Sequence, residues 1–349
     1  MSENTKKKKK FEIPDAPRRT NNCVLEISDL GQKNNKRYIL KHLRYDVYLI
    51  LNNYDYFLWS LLDGTNRYDD IFIKFFNKFN KLPVNYIQSK LTMFCKKGFI
   101  SNYNDFDPSE LKKKKRLFMF RLPIKNISKL FCKVYQVFGS IVFTKLFKLF
   151  ALLISITGVL VYNLNTNSPD SLLYSNTWFN MIMVYTSFII PIFLHEISHA
   201  ISCIHYSCEI KEAGFMLYIV FPVLYVNTSD SWMIKKKQRI IVSSAGIISD
   251  LVIGSLFAII YYLFPDTYFS KLYYQITILC YMRIFLNINP FLKWDGYYIL
   301  MDLLNTYNFR KEAYRFLRVG ITKKIKKREH FNIDDFKLLL YALFSLTYI

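Results

Sequence analysis

Four long apolar segments constrain the fold of this chain more than any other feature of its sequence. They cover residues 141–162, 178–202, 240–264 and 272–292. Each is close to the length that a helix needs to cross a bilayer, about 20 residues. The apolar residues, which make up 52% of the 349, concentrate in this part of the chain. The sequence therefore predicts an α-helical polytopic membrane protein with about four spans.

Basic residues predict the orientation of these spans. Lys and Arg are dense before the first span, between the second and third, and after the fourth. Residues 163–176 contain none, and the loop before the fourth span contains only Lys271. Because cytoplasmic loops carry the excess of basic residues, we expect a multi-pass protein of the cell membrane with a cytoplasmic N-terminus. A signal peptide is not predicted, since residues 1–10 are polar and basic.

The second apolar segment contains a His-Glu-x-x-His pattern at His195, Glu196 and His199. In a helix the two histidines lie one turn apart on one face and can bind one metal ion, while Glu196 can act on a water beside it. Such a pair also arises by chance. Here, however, apolar residues surround the pattern, and ionisable groups inside a membrane are costly and usually functional. The pattern therefore predicts the core of a zinc peptidase site.

A catalytic zinc ion has three protein ligands, so a third ligand is expected elsewhere in the chain. The best candidate is Asp295, in an Asn-Pro-x-x-x-x-Asp-Gly pattern that begins at Asn289 at the end of the fourth apolar segment. Pro290 and Gly296 should break the helix there, so that a carboxylate can turn toward a neighbouring span. The alternative is that Asp295 is only a polar cap at the membrane interface.

The chain before the spans has the pattern of a small soluble α+β domain, over residues 22–105. Three short strands and three amphipathic helices are predicted, at 23–27, 38–40, 47–51, 54–62, 68–79 and 84–97. Strands followed by three helices in about 80 residues indicate a winged-helix domain. Residues 1–21 before it are predicted to be a disordered basic arm, either a solvated tail or one attracted to anionic lipid headgroups.

The remaining segments complete the predicted organisation. Residues 106–139 form a basic connector, and residues 140–305 form the membrane core. Residues 306–349 form a cytoplasmic basic segment that ends in an apolar run from residue 338. That run is too short to span a bilayer, so we expect it to be the start of a fifth span.

The front domain resembles the PqqD-like recognition domains that capture leader peptides of ribosomally made, modified peptides. The resemblance covers about 80 residues, and its most specific element is the helix end Leu62-Asp63-Gly64, followed by a last helix that stops at Gly98. It implies that an extended leader peptide adds to the edge of the sheet. The alternatives are an ordinary winged helix with a structural role or one that binds DNA. Nucleic acid is the less expected partner, because the last helix carries few cations.

The membrane core resembles the site-two protease clan of intramembrane zinc metalloproteases. The resemblance covers residues 140–305 and rests on the two patterns above and on Ser244-Ala245-Gly246, which opens the segment between them. The sequences at 222–232 and 295–298 are similar to a branch of peptide zinc metalloproteases found beside bacterial genes for peptide export and modified peptides.

This resemblance implies zinc as the cofactor, with His195, His199 and Asp295 as ligands and Glu196 as the general base. The substrate would be a peptide with a leader, and an ABC exporter or a modification enzyme would be a further partner. One departure concerns Asp250, which stands where the clan often has an Asn that lines the substrate cleft. Without the resemblance, Asp250 would be interpreted as a protonated or hydrogen-bonded core carboxylate.

Substrate binding is expected from five residues: Asn289, Asp250, Phe215, Leu217 and Tyr225. The last three lie in two short apolar strands predicted between residues 215 and 226, which offer an edge for an extended substrate. An extended substrate is needed because the peptide bonds of a helix are sterically closed to attack.

The predicted function is that of an intramembrane zinc metalloprotease in peptide maturation or export. It would cleave a ribosomally made (modified) peptide precursor or a membrane-associated peptide at the cytoplasmic membrane face. One alternative is a zinc-containing immunity or export factor that binds the peptide without cleaving it, against which the intact Glu196 argues. The other is a membrane-tethered regulator with a DNA-binding winged helix, whose DNA binding would fall steeply with salt.

Overall fold

The computed structural model describes residues 13–29, 36–81, 83–111, 119–164, 169, 171–218, 221–306 and 308–347. The chain divides into two compact units, Met1–Arg116 and Leu117–Ile349. We call them the front unit and the helical unit. The first twelve residues of the predicted basic arm lie outside the described residues.

The front unit consists of one antiparallel sheet and three helices. The strands, in sheet order, are β1 (Cys23–Asp29), β2 (Lys36–His42) and β3 (Val47–Leu51). The helices are α1 (Asn53–Ser60), α2 (Tyr68–Phe79) and α3 (Val84–Lys96), followed by a 3-10 turn at Pro108–Leu111. The predicted strands and helices are thus present, with bounds that shift by a few residues. The winged-helix assignment stays a prediction.

Apolar residues at helical spacing form the core of the front unit. Ile71 and Phe75 in α2, and Ile87, Leu91 and Phe94 in α3, are almost fully buried. They pack on the buried side of the sheet and form one cluster with its strands. Because residues four apart lie on the same face of a helix, each helix needs only this stripe to attach to the sheet.

The second half of the predicted basic arm is ordered. Residues 13–20 run alongside two loops of the front unit, where Arg19 N donates to Leu62 O at 2.8 Å and Thr20 N donates to Phe99 O at 2.9 Å. The composition of this segment, rich in Pro and Arg, predicted disorder because it offers little apolar surface to bury. Main-chain hydrogen bonds hold it instead, and composition does not reveal them.

Three described helices of the helical unit are long and apolar enough to cross a membrane. They are α6 (Lys145–Leu164), α7 (Thr177–His205) and α8 (Lys236–Leu263), which correspond to the first three predicted segments. They indicate a membrane protein. The fourth segment forms α9 (Ser270–Ile288), which is less apolar and is not among the three. A fourth span therefore stays a prediction.

Helix α8 lies at the centre of this unit and packs against α6, α7 and α9. Small residues allow the close approach. A side chain on Gly158 of α6 would meet the Cα atom of Ser255 at 2.4 Å, and one on Gly254 would meet Cys280 of α9 at 2.8 Å. The backbones of these helices are therefore closer than larger residues would permit.

A three-stranded antiparallel sheet lies beside the helices. The predicted strand pair is present as β5 (Glu212–Tyr218) and β6 (Phe221–Val226), and a further strand, β4 (Met119–Lys125), pairs with β5. The predicted basic connector is thus structured in its described part. It continues through α4 (Ser128–Val134), a π-helical turn at Tyr135–Gly139 and α5 (Ser140–Val142). Basic residues and Pro123 obscured β4, although an edge strand tolerates proline.

The C-terminal segment forms helices that pack as a separate core. A 3-10 turn at Ser229–Met233 lies between β6 and α8. The segment after α9 consists of α10 (Asp295–Leu303), α11 (Phe309–Arg315), a π-helical turn at Phe316–Gly320, α12 (Ile321–Lys327) and α13 (Ile333–Thr347). Tyr341 and Ala342 of α13 pack with Tyr297 and Met301 of α10 and with Phe309 of α11. The apolar run that we expected to begin a fifth span forms a 15-residue helix that packs on α10 and α11, and a fifth span stays a prediction.

Candidate metal centre

Helix α7 brings the two predicted histidines together. It stays helical through Pro191 and places His195 and His199 one turn apart, with both side chains buried. Their Nε2 atoms lie 3.2 Å from each other. This is the arrangement that the four-residue spacing predicted.

The break between α9 and α10 brings Asp295 to the same place. A residue directly before a proline disfavours the helical conformation, and α9 ends at Ile288, with Asn289 as its extended C-cap directly before Pro290. A new helix, α10, begins at Asp295. A side chain on Gly296 would lie 2.3 Å from Ile288 O, so only glycine lets α10 start this close to the end of α9. The motif thus ends α9, allows α10 to begin close to that end, and places the Asp295 carboxylate at the start of α10.

Three donor atoms converge at this point. Asp295 Oδ2 lies 3.2 Å from His195 Nε2 and 3.3 Å from His199 Nε2. With the 3.2 Å between the two nitrogens, they form a nearly equilateral triangle. Ligands of a tetrahedral zinc ion with bonds of about 2.0–2.1 Å are separated by about 3.3 Å, so the triangle has the dimensions of one face of that site. These residues could hold a metal ion.

The state of Asp295 fits the same role. Its Oδ2 atom is buried and has no hydrogen-bond partner. Burial acts to raise the pKa of this carboxyl, but the two neighbouring histidines outweigh burial and hold the pKa well below its usual range. A buried, ionised oxygen without a hydrogen-bond partner is suited to a cation.

The Nδ1 atoms of both rings have hydrogen-bond acceptors as partners, which leaves the Nε2 lone pairs available for a metal ion. His199 Nδ1 lies 2.7 Å from Val242 O, and a carbonyl can only accept, so Nδ1 carries the proton. His195 Nδ1 lies 2.9 Å from Asp250 Oδ2, a carboxylate oxygen. Partners of this kind fix the tautomer of metal-binding histidines and orient the ring.

Gly246 of α8 keeps space for the metal centre. A side chain at this position would lie 2.4 Å from His195 Nε2 and 2.5 Å from His199 Nε2. Gly246, near the start of the third apolar segment, therefore faces the donor atoms directly. Even alanine would occupy the space where the imidazoles converge.

Glu196 connects the histidines to the sheet. Its Oε2 atom accepts a hydrogen bond of 3.0 Å from the backbone N–H of Val226, the last residue of β6. The carboxylate predicted to be the general base therefore lies at one end of the β6 edge.

A comparison with known proteins identifies a relative that is described as a zinc peptidase. The chain is 29% identical over 167 residues to the "Putative peptide zinc metalloprotease protein YydH" of Bacillus subtilis (strain 168). The matched region is 45% of this chain and 64% of that protein, so the chain spans less than two thirds of its relative. No protein-family model matches the chain, and no solved structure does.

The residues predicted to bind substrate lie in different elements of the helical unit. Phe215 and Leu217 lie in β5, with the Phe215 side chain exposed on the sheet. Tyr225 lies in β6, and its hydroxyl donates to Glu212 Oε1 at 2.5 Å. Asn289 accepts from Phe291 N at the end of α9. Contact of these residues with a substrate stays a prediction.

Asp250 is a buried carboxylate that contacts one of the two histidines. It was predicted to line the substrate cleft or to be a core carboxylate, and it is fully buried against Nδ1 of His195, on the opposite side of the ring from Nε2. Arg283 of α9 lies behind it, with Nη1 3.6 Å from Asp250 Oδ1. Arg283 was not among the residues predicted to be functional. The sequence does contain a signal for this pair: Arg283 is the single basic residue of the fourth apolar segment, and Asp250 is the single acidic residue of the third.

Proposed function

We propose that this chain is a zinc-dependent endopeptidase. The triangle formed by His195, His199 and Asp295, with Glu196 as the neighbouring carboxylate, is the observation that carries the proposal. A zinc peptidase needs three protein ligands, an open coordination position and a base. The similarity to a protein named as a peptide zinc metalloprotease supports the same chemistry.

The chain's own residues perform the proton transfers. A bound zinc ion would supply Lewis-acid chemistry, making a water more acidic and polarising the scissile carbonyl. Glu196 takes a proton from the water whose oxygen attacks the carbonyl carbon. The same carboxyl then gives the proton to the leaving amine as the C–N bond breaks.

The β6 edge would hold the substrate in extended form. Asn227 N bonds back to Glu212 O, whereas Val226 N points to Glu196, away from β5. Backbone groups alternate in direction along an antiparallel strand, so Leu224 also presents its backbone groups to this edge. A peptide that pairs with the edge would reach Glu196 at its end, which places a peptide bond next to the base.

The finer parts of the proposal concern location, substrate and partners. We propose an intramembrane protease of the site-two type, with α9 as a fourth span and a cytoplasmic N-terminus in the cell membrane. The substrate is a ribosomally made (modified) peptide precursor or a membrane-associated peptide. The front unit would capture its leader, and an ABC exporter or a modification enzyme would take up or supply the peptide.

Cleavage by the reconstituted full chain tests the proposal. The wild type and Glu196→Gln are placed in proteoliposomes with a synthetic peptide library, and new termini are identified by mass spectrometry. We expect cleavage by the wild type to exceed that of the variant by at least about 100-fold, the range for loss of a general base. Zinc content is measured in both proteins.

A matched control distinguishes loss of the general base from loss of any negative charge in the same unit. Glu209→Gln removes a largely exposed carboxylate of the same unit, and cleavage should remain at the wild-type level. If the wild type binds zinc and peptide but yields no new termini, the protein holds zinc without hydrolysing peptides, and the proposal is wrong.

A further inference from the structure

Two buried ionisable residues lie behind the metal centre and take no part in the proposed proton transfers. Asp250, in α8, has no exposed surface, and Arg283, in α9, is mostly buried. Asp250 Oδ2 lies 2.9 Å from His195 Nδ1, and Asp250 Oδ1 lies 3.6 Å from Arg283 Nη1. One carboxylate therefore connects a ring on α7 to a guanidinium on α9.

Burial of these two groups is costly unless it has a use. An ion pair in an apolar interior gives little net stability, because both charges lose their water. This pair is also incompletely bonded, since Asp250 Oδ1 and Arg283 Nη1 have no hydrogen-bond partner. Apolar residues of similar volume would hold α8 and α9 together at least as well. The arrangement therefore needs a reason other than packing.

The two histidines differ in the hydrogen-bond partner of Nδ1, and this difference gives a reason for burying Asp250 and Arg283. His199 is oriented by a backbone carbonyl, that of Val242, and needs no side chain for the purpose. His195 has Asp250 as its Nδ1 partner instead. A free carboxylate can rotate about its χ angles, so its own orientation must be fixed.

We propose that Asp250 and Arg283 are positioning residues for His195, and we call the set Arg283, Asp250 and His195 the relay. Asp250 accepts the Nδ1 proton, which fixes the tautomer with the Nε2 lone pair toward the metal and fixes the plane of the ring. The charge of Arg283, 3.6 Å from the second oxygen of Asp250, attracts that oxygen and so favours the direction of the first. This inference rests on the proposed function for the identity of the metal, but not on peptide cleavage.

The relay also links the two sources of ligands. Arg283 lies near the end of α9, and the chain leads from there through Pro290 directly to Asp295. The helix that orients His195 through Asp250 is therefore the helix that delivers the carboxylate ligand. A shift of α9 would alter both ligands together.

Zinc affinity of the full-length protein in nanodiscs, measured by competition with a chelator, tests the relay. We expect Asp250→Ala to bind zinc about 10–100-fold more weakly, the usual effect of removing a partner of a zinc ligand. Arg283→Gln should weaken binding by less than Asp250→Ala. Adding Arg283→Gln to Asp250→Ala should cause little further loss, because the arginine acts through the carboxylate.

A spectroscopic measurement distinguishes positioning from packing. Cobalt(II) replaces zinc, and its visible spectrum reports ligand geometry. Asp250→Asn, which keeps the shape of the side chain, and Arg283→Gln should both change the intensity of this spectrum. Ser255→Ala is the matched control, since it removes the hydrogen bond between Ser255 and Tyr281 across the same two helices without touching His195. Its zinc affinity and cobalt spectrum should equal those of the wild type.

Two results would overturn the relay. In one, Asp250→Asn and Arg283→Gln show the wild-type zinc affinity and cobalt spectrum. In the other, Ser255→Ala weakens zinc binding as much as they do, which would make the pair a packing element. Should Asp250→Ala fail to fold, the asparagine variant decides. Both readouts use the metal alone, so an absence of peptide cleavage by the wild type would refute the proposed function and leave this test intact.

Discussion

The front unit and the helical unit differ in how completely their buried polar groups are hydrogen-bonded. In the front unit, the buried carboxylate of Asp55 accepts from Tyr86 Oη at 2.6 Å and pairs with Lys90 Nζ at 2.8 Å. His42 bonds Gly98 O through Nε2 at 3.0 Å. In the helical unit, four buried side-chain atoms among the described residues have no hydrogen-bond partner: Asp250 Oδ1, Gln275 Oε1, Arg283 Nη1 and Asp295 Oδ2.

The unsatisfied atoms are therefore concentrated in the helical unit. Buried polar atoms are normally satisfied, and exceptions need an explanation. Three of the four exceptions belong to the metal centre or to the relay. In the described part of the front unit no buried side-chain N or O atom lacks a hydrogen-bond partner, so we expect any binding by that unit to use its surface. The two units should therefore respond to different substitutions.

Loss of a core ring in the front unit gives the largest expected effect. Phe94 has no exposed surface, and Phe94→Ala should destabilise this unit by about 3–5 kcal/mol. Hydrogen exchange of the α3 amides in the full chain measures it. Phe76→Ala, at a largely exposed position in α2, is the control and should cost much less. Zinc affinity should stay at the wild-type value, and a parallel fall would mean that the two units are not separable.

Filling the space at Gly246 is the corresponding change in the helical unit. In Gly246→Ala the new methyl group would overlap both Nε2 atoms, so zinc affinity should fall by at least about tenfold. Gly158→Ala crowds Ser255 from α6, a helix that carries no proposed metal ligand, and serves as the control. It should reduce stability without a specific loss of zinc. Equal zinc affinity in the two variants would contradict the position assigned to Gly246.

A smaller loss of stability is expected at Gly64, in the helix end on which the resemblance of the front unit to PqqD-like domains rests. Gly64 has φ +86°, and Asp63 accepts from the backbone and side chain of Thr65. Gly64→Ala should cost about 1–2 kcal/mol, the penalty for a side chain in the left-handed region. Ser60→Ala, on the exposed end of α1, should change stability by less than about 0.5 kcal/mol. Hydrogen exchange of α1 measures both.

The smallest effect is a dependence of the front unit on pH. Burial lowers the pKa of His42, with the nearby Arg44 adding to it, although the bond to Gly98 opposes the shift. The unfolded chain therefore takes up this proton at a higher pH than the folded chain. The contribution to stability is present above about 6.5, the unperturbed pKa, and is lost as the pH falls. Exchange rates of the front unit at pH 7.5 and 5 measure it, and His42→Gln should weaken the dependence.

The parts that depend on local pattern could be predicted from the sequence. The strands and helices of the front unit, the first three long helices and the pairing of His195 with His199 follow from spacing alone. Asp295 was predicted as the best candidate for the third ligand because helix-breaking residues surround it, and the structure places its carboxylate beside both histidines.

The parts that depend on contacts between distant segments could not be predicted. Strand β4 is held by pairing with β5, and its own residues, including Pro123, oppose a strand assignment. Residues 13–20 are ordered by main-chain bonds to loops far along the chain. The position of Asp250 behind His195 depends on how α7 and α8 pack, which no pattern within either helix reveals.

X-ray absorption at the zinc edge of the full-length protein tests the central claim most directly. With one zinc ion per chain, we expect a four-coordinate shell of nitrogen and oxygen at about 2.0–2.1 Å, with two imidazoles. The His199→Ala spectrum should lose one of the imidazoles. A sulfur shell at about 2.3 Å, or a wild-type spectrum unchanged by His199→Ala, would contradict the assignment of His195, His199 and Asp295 as the metal centre.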